Sequence, residues 1–479
     1  MGDSRFISSI IEYNHQWLIG NYKNYWDGFF MYPDKEVISY SDNLLGITPF
    51  YSIFRFFGCN HLTAYQLILL ASHIANYLFA YYCFYKITGS KIGAATGAFI
   101  FAFNLSLLNI HNHPQFTFRF AVPFAFLNLY QYYQNFESKY IYKYGLWLAF
   151  QFYLGVYLGY FVLIFSVLFF MGYLIIQKNK FSLFFTLKNI LNIIGCMILF
   201  LSITIPLFYF YYKRNKFSGY YTSYDVVINT IPQLKSYLMP FYSAFSFGFL
   251  KSITVKSTFP WFHQIFPGIL VYASIVISLW LAISKKNKLV IALLIPLFFF
   301  LIFVTNFNGF SFYEYLQYIP GLRALRVVSR FVLVSTFIYG WLIALNVGYV
   351  KKTSVKNILL VLLPVLLFFD NYCTVDGFKR FEKQDALNRI SLLETKLKES
   401  GKLKGGIVFA YIPGEIEESY KIQIDAMQTA VHLKVKTING YSSSCHGSFG
   451  PFWNQHDSLS LMQWCRDFNL NPDSLVIVK

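Results

Sequence analysis

The sequence predicts an α-helical polytopic membrane protein of about ten transmembrane helices, followed by a small C-terminal α/β domain. Of its 479 residues, 56% are hydrophobic and only 13% are charged, whereas soluble proteins carry about 25% charged residues. Aromatic residues alone make up 21% of the chain, and membrane spans use such side chains in their interiors and interfacial belts. Long apolar runs recur up to residue 371 and stop there.

Ten apolar runs approach the length needed to cross about 30 Å of hydrocarbon. They cover residues 64–86, 92–108, 118–133, 144–157, 159–177, 189–211, 267–284, 289–305, 329–349 and 357–371. We therefore expect a membrane domain over residues 1–371, with a long first outer loop at 1–62. Residues 372–479 are expected to form a soluble α/β domain.

Lysines set the expected orientation. They cluster in the five loops that follow the odd-numbered spans: Lys86/Lys91, Lys139/Lys143, Lys178/Lys180/Lys188, Lys285/Lys286/Lys288 and Lys351/Lys352/Lys356. By the positive-inside rule these loops are cytoplasmic. The other side then receives residues 1–62, 109–117, 212–266, 306–328 and the C-terminal domain.

The formal net charge of +18 does not indicate nucleic-acid binding. Residues 372–479 are nearly neutral, with 13 Lys/Arg against 12 Asp/Glu. The excess lies in residues 1–371 and is broken into short clusters between apolar runs. Short clusters of this kind indicate on which side of the membrane a loop lies, whereas nucleic-acid binding requires a continuous basic surface.

Arginines are distributed differently from lysines. All seven in residues 1–371 fall on the expected outer side: Arg5, Arg55, Arg119, Arg214, Arg323, Arg326 and Arg330. The planar guanidinium suits phosphate recognition, although interfacial anchoring would also explain outer arginines. Three of them recur at helical spacing after Pro320-Gly321, which predicts a helix whose N-terminal end offers an anion site.

Two further outer segments carry polar chemistry. Residues 4–19 predict an amphipathic helix lying in the membrane interface. The second outer loop contains His111-Asn112-His113-Pro114-Gln115. Two histidines at this spacing suit either metal ligation or, more commonly, interfacial hydrogen bonding.

In the C-terminal part, residues 376–404, 415–433 and 458–468 are predicted to be helical. Residues 407–412 and 475–478 are predicted to be buried strands. Cys445 and Cys465 could pair in an oxidising compartment or remain free thiols.

The order of several short motifs resembles a bacterial branch of the GT-C superfamily, polytopic glycosyltransferases that use polyprenyl-phosphate-linked sugars. The motifs are Gly2-Asp3-x-Arg5, Trp26…Phe30-x-Tyr32-Pro33…Tyr40-Ser41-Asp42…Gly46, His113-x-Gln115, Phe266-Pro267-Gly268, the Pro320–Phe331 segment, Asp425-Ala426-Met427 and Thr437-x-Asn439-Gly440-Tyr441-Ser442. The resemblance spans nearly the whole chain, and it is carried by their order rather than by any one of them.

The resemblance implies a mechanism and a location. A first-loop acid acts as general base on an acceptor hydroxyl, which attacks the anomeric carbon and expels the polyprenyl phosphate. Asp3 is the implied base, with Asp42 as the fallback. The substrate-binding residues implied are Arg5, Arg119, Arg323, Arg326 and Arg330 for phosphate, and His113 and Gln115 for donor or acceptor. The implied site is the outer face of the bacterial cytoplasmic membrane, with a glycan or lipid of the cell envelope as acceptor.

The chain departs from the family pattern at two points. Family members carry a membrane helix before the first-loop acid, so a span encoded upstream of residue 1 is expected. An acid is also expected near position 263, where Phe262-His263-Gln264 stands. No cofactor is assigned, and a divalent metal requirement is left open. Two other functions remain open: transport or flipping of a lipid-linked polar substrate, and a non-catalytic role of a GT-C relative.

Overall fold

A computed structural model describes residues 2–110, 112–218, 223–245, 247–319, 321–374, 382–401, 407–413, 418–442 and 444–479. The helices in the first part are α1 (Gly2–Leu18), α2 (Thr48–Phe56), α3 (His61–Thr88), α4 (Lys91–Phe103), α5 (Val122–Asn135), α6 (Ser138–Leu154), α7 (Val156–Ile176), α8 (Lys178–Phe184), α9 (Leu187–Ser218), α10 (Tyr224–Val227), α11 (Ile269–Ser284), α12 (Lys288–Phe303), α13 (Tyr313–Leu316), α14 (Val332–Gly348) and α15 (Thr353–Asn371). The C-terminal part contains α16 (Lys383–Glu399), β1 (Val408–Tyr411), α17 (Ser419–Leu433), β2 (Lys436–Thr437), α18 (Phe449–Gln455), α19 (Ser458–Asp467) and β3 (Leu475–Val478).

Each of the ten predicted spans coincides with a helix: α3 to α7, α9, α11, α12, α14 and α15. Among the described residues, six segments are long and apolar enough to cross a membrane: His61–Thr88, Lys91–Leu108, Val156–Leu174, Leu187–Arg214, Val328–Gly348 and Thr353–Asn371. The helices α11 and α12 are apolar but shorter. A helical membrane protein is therefore supported, whereas the number of ten crossings stays a prediction.

Contacts gather the lysine-bearing loops at one end of the helices. The Lys180 ammonium, in α8 directly after α7, donates to the carbonyls of Tyr133 (2.8 Å) and Gln134 (2.9 Å) in the last turn of α5. The Asn287 amide contacts the Tyr349 hydroxyl and joins the loop after α11 to the end of α14. Lys180 also interacts electrostatically with Lys288 at the start of α12. A Cβ on Gly348, at the end of α14, would lie 3.5 Å from Thr88 at the end of α3. The five lysine-bearing connections therefore share one face, as their lysine content predicts.

Two helices at the centre of the bundle approach each other through glycine. A Cβ placed on Gly97 of α4 would lie 2.2 Å from the Gly340 carbonyl oxygen of α14, and the reverse distance is 2.3 Å. One turn away, Gly93 faces the Ala344 backbone in the same manner. Small residues four apart let helix backbones touch, which is how helices associate where lipid supplies no hydrophobic driving force.

Aromatic rings fill the space around that contact. Phe337 of α14 stacks on Phe84 (5.0 Å between centroids) and on Phe126 (5.2 Å). The fully buried Trp341 packs against Phe169 at 5.6 Å. Each such pair contributes about 0.5–1.5 kcal/mol beyond its buried area, so part of the high aromatic content serves the interior of the bundle.

Helix α1 forms where the sequence predicts a helix, but its apolar side chains do not lie in a membrane interface. Ile7, Ile10 and Ile11 are buried by protein. Its polar side is buried as well: Glu12 accepts hydrogen bonds from Tyr51 (2.5 Å) and pairs with Arg55 (2.9 Å). Protein therefore covers both faces of α1. The apolar face packs in a core, and the polar face can be buried because its side chains have hydrogen-bond and ion-pair partners.

The C-terminal strands form a parallel sheet in the order β2-β1-β3, with Val408 opposite both Lys436 and Leu475. The predicted strands at 407–412 and 475–478 are confirmed, as are helices within the three predicted helical stretches. Strand β2 and helix α18 were not predicted. All six cysteines are free.

The sheet continues into the first outer segment. The Thr437 N–H donates to Phe29 O (2.9 Å), and Tyr32 N–H donates to Thr437 O (3.0 Å). Apolar residues of both parts, among them Ile11 and Met427, belong to one core. The division at residue 371 stays a prediction, but residues 372–479 share their core with the N-terminal segment.

Candidate functional site

A cavity of about 600 Å³ lies at the end of the bundle opposite the lysine loops. Its lining comes from the first outer segment, the second outer loop, the helix ends near 156–160 and 211, the segment 321–330 before α14, and the C-terminal part. The lining residues that carry polar or aromatic side chains include Asp3, Tyr40, Asp42, His113, Gln115, Tyr157, Tyr160, Tyr211, Arg323, Arg326, Arg330, Tyr441 and Ser442. Seven of the nine predicted site residues therefore meet in one cavity.

Asp3 stands in the first turn of α1, where the helix dipole favours a carboxylate. Both of its oxygens are occupied. The Tyr441 hydroxyl donates to Oδ1, and His113 Nδ1 lies 2.5 Å from Oδ2. The two side chains keep some access to the cavity, with 28% of Asp3 and 21% of His113 exposed.

The charge states of this pair follow from their surroundings. Burial alone would raise the pKa of Asp3, but the hydrogen bonds from His113 and Tyr441 and the charges of His113 and Arg330 lower it overall. Burial lowers the pKa of His113, and the positive charges of Arg330 and Arg326 lower it further against the opposing pull of Asp3. An ionised Asp3 next to a neutral His113 is the state these shifts favour near neutral pH.

Asp42, the fallback base, has a different position on the same cavity. Its Oδ1 accepts the Val156 N–H at 2.9 Å, at the start of α7. Burial raises the pKa of Asp42, although backbone hydrogen bonds and Arg330 oppose the rise. Its carboxylate therefore fixes the beginning of a helix as well as lining the cavity.

The three C-terminal arginines of the membrane part all reach the cavity, but not on one regular helix. Arg323 belongs to a short 3₁₀ turn, and a second such turn at Val328–Phe331 holds Arg330. Helix α14 begins only at Val332. The prediction that these arginines occupy the first turns of one helix is therefore wrong, although the chain between the two turns directs them to the same space.

Arg330 is the most buried of the three, at 7% exposure. Its guanidinium lies over the rings of Phe116 (4.6 Å) and Tyr157 (5.2 Å). Within the described part of the chain, no hydrogen bond or ion pair ends on this side chain, and its Nε is buried without a partner. Burying a charge that has no hydrogen-bond or ion-pair partner costs free energy. An anionic ligand bound beside Arg330 would offset this cost.

Two uncharged polar atoms on the cavity are also buried without partners among the described residues. They are Oε1 of Gln115 and Oγ of Ser442. Buried oxygens of this kind normally find a donor. A hydroxylated ligand in the cavity would supply such donors.

The other outer arginines have partners inside the protein. Arg5 pairs with Asp425 and Gln428, and Arg55 and Arg214 pair with Glu12 and Asp34. Neither Arg5 nor Arg119, the two remaining predicted phosphate ligands, lines the cavity.

Arg119 is enclosed among the helices. Its guanidinium donates to the carbonyls of Leu333 (2.8 Å) and Phe101 (3.0 Å) and to the Thr336 hydroxyl (3.1 Å). These bonds tie the segment before α5 to α4 and α14. The position is one of structural support rather than ligand contact.

Tyr441 is the main cavity residue that received no role from the sequence. The preceding residues explain its placement: the Asn439 side chain bridges the N–H and carbonyl of Tyr411 at 2.7 and 3.0 Å. A Cβ on Gly440 would lie 2.4 Å from Met31, so only glycine lets the chain pass there. The Asn-Gly-Tyr run was visible in the sequence, but its approach to Asp3 was not.

His263, where an acid was expected, is buried between Ser236 (2.8 Å) and the Asn229 carbonyl (3.0 Å) and does not line the cavity. Among the residues that the structure describes, no group of three or more His, Cys, Asp or Glu side chains is placed to hold a metal ion. His111 and Pro320 lie outside those residues.

Comparison with known proteins adds no assignment: no protein-family model and no curated protein matches the chain.

Proposed function

We propose that the protein is a membrane glycosyltransferase that moves a sugar from a polyprenyl-phosphate-linked donor to an acceptor of the cell envelope. The observation that carries the proposal is the combination in one cavity of an ionised Asp3 bonded to His113 and the unpaired, buried Arg330. General-base groups and a site for a departing anion are the two requirements of this transfer.

In the proposed reaction, the acceptor hydroxyl attacks the anomeric carbon while the bond from that carbon to the phosphate oxygen breaks. The Asp3–His113 pair accepts the hydroxyl proton, and a general base contributes about 10²–10⁴-fold to such a step. Arg330, together with Arg326, holds the negative charge of the leaving phosphate. Gln115 accepts a hydrogen bond from a hydroxyl of the sugar.

The location of the cavity supports a lipid-linked donor. Tyr157 and Tyr160, in the first turns of α7, and Tyr211, near the end of α9, line it, so the cavity meets the ends of two apolar helices. A polyprenyl chain could remain in the bilayer while its phosphate reaches Arg330. We place this end of the bundle on the outer face of the bacterial cytoplasmic membrane, with ten crossing helices and the C-terminal part outside the cytoplasm.

The test compares surface glycans of a strain lacking the protein with strains that express the wild type or Asp3→Asn. We expect the wild type to restore a glycan that Asp3→Asn does not. Asp385→Asn is the matched control, because Asp385 is an exposed acid on α16. It should behave as wild type.

Identical glycans in all strains would remove the proposal. Arg330 would serve a transporter of a lipid-linked substrate equally well, so a wild-type effect that survives Asp3→Asn but not Arg330→Met would identify transport instead.

A further inference from the structure

The bonding of Asp3 leaves it poorly suited to take a proton. A carboxylate accepts protons at its two oxygens, and here Tyr441 occupies Oδ1 while His113 occupies Oδ2. A substrate hydroxyl would have to displace one of these partners. The low pKa of Asp3 also makes its carboxylate a weak base.

His113 has the complementary arrangement. An ionised carboxylate offers no proton, so the short contact to Asp3 requires the hydrogen on His113 Nδ1. In the neutral imidazole, Nε2 then carries a lone pair. Within the described residues no hydrogen bond ends on Nε2, and the side chain lines the cavity.

We infer that His113 is the catalytic base, accepting the hydroxyl proton at Nε2, and that Asp3 and Tyr441 are positioning residues that hold its tautomer. The inference rests on the proposed function and deepens it. The geometry is that of a carboxylate–imidazole pair, in which the carboxylate stabilises the imidazolium and is not itself protonated.

The acceptor oxygen forms a bond to the anomeric carbon, the bond from that carbon to the phosphate oxygen breaks with its electron pair, and the hydroxyl proton moves to Nε2. Asp3 then faces an imidazolium, and the phosphate leaves as an anion beside Arg330. Release of the proton from Nε2 to water or to the phosphate restores the starting state.

The charged and titratable groups acting on His113 are Asp3 from α1, and Arg326 and Arg330 from the segment before α14. Burial and both arginines lower the pKa of His113, so its Nε2 is unprotonated near neutral pH. Tyr441, from the C-terminal part, faces Asp3 rather than the imidazole.

The first experiment uses His113→Asn, because the asparagine amide places an N–H donor close to where Nδ1 stands but offers no basic nitrogen. With purified full-length protein and donor lipid extracted from the glycan-deficient strain, we expect the transfer rate to fall about 10²–10⁴-fold with little change in KM. His113→Ala should regain part of its rate when imidazole is added. The double variant with Asp3→Asn should be no slower than the slower single variant, since the pair acts as a unit.

A His113→Asn rate within about tenfold of wild type, with Asp3→Asn inactive, would overturn the inference and return the role of base to Asp3. A second measurement does not depend on transfer. ¹⁵N NMR of histidine-labelled protein, assigned by comparison with His113→Asn, should show the proton on Nδ1 in wild type and on Nε2 in Asp3→Asn.

A wild-type proton on Nε2 would overturn the inference whatever the activity. If the wild type transfers no sugar and yet shows the proton on Nδ1, the pairing of Asp3 with His113 stands and the proposed glycosyltransferase function fails.

Discussion

Arg330 and Arg119 form a natural pair for comparison, because both are buried arginines of the same bundle, at 7% and 2% exposure, in opposite electrostatic situations. Arg119 has three hydrogen-bond partners in α4 and α14. Arg330 has aromatic rings around it and, in the described part of the chain, forms no hydrogen bond or ion pair, although the charges of Asp3 and Asp42 reach it across the cavity. Replacing each by methionine keeps most of the side-chain length and removes the charge.

The expected effects have opposite signs. Arg119→Met loses three bonds to a charged group, each contributing about 1.5 kcal/mol at the lower end of the usual range. Its stability should fall by about 3–5 kcal/mol. Arg330→Met loses cation–π contacts of about 0.5–2 kcal/mol but removes an unpaired charge whose burial costs several kcal/mol. Its stability should equal or exceed that of wild type.

Function should follow the reverse order. Removing a group that stabilises developing charge in a buried site costs about 10²–10³-fold in rate, so Arg330→Met should be nearly inactive although it folds. Thermal unfolding in detergent and glycan restoration in cells measure the two properties separately. An Arg330→Met protein that is both destabilised and fully active would refute the proposal that Arg330 binds an anionic group of the substrate.

Three further predictions concern packing, the C-terminal part and pH. Gly97→Ala should lower stability by about 1–3 kcal/mol, because its Cβ would meet the backbone of the facing helix; thermal unfolding should show no such loss for Gly248→Ala, which has open space. Asp425→Asn breaks a buried ion pair and should cost about 3–5 kcal/mol, loosening the C-terminal part in limited proteolysis, whereas the exposed Asp385→Asn should not. Burial and nearby arginines lower the pKa of His113. The transfer rate should therefore stay constant at pH values just below the ordinary histidine pKa of about 6.5 and fall on further acidification, as His113 takes up a proton. A transfer rate that begins to fall above the ordinary pKa would contradict this.

The positions of the helices were predictable because apolar length and flanking lysines are local properties. Hydropathy located α3 and α14 without any knowledge of their neighbours. Whether α1 lies against lipid or against protein could not be predicted in this way. Its amphipathic pattern suits a lipid–water interface as well as two protein faces, and only the long-range partners Tyr51 and Arg55 decide between them.

The site was partly predictable for a similar reason. Grouping the outer loops and following the order of the motifs selected Asp3, His113 and Arg330, and these three residues line one cavity. Arg5 and Arg119 could not be separated from the cavity arginines, since their partners lie 423 and 217 residues away in the chain. Tyr441 was missed because its contact with Asp3 depends on how residues 372–479 pack.

The most direct test of glycosyl transfer measures the fate of the donor. Purified wild-type protein, reconstituted in lipid vesicles, is given the lipid extract of the glycan-deficient strain, and free polyprenyl phosphate is measured by mass spectrometry. We predict that wild type liberates polyprenyl phosphate and that Asp3→Asn and Arg330→Met do not. Lipid-linked sugar that remains intact with wild-type protein, or that only changes leaflet, would contradict the account.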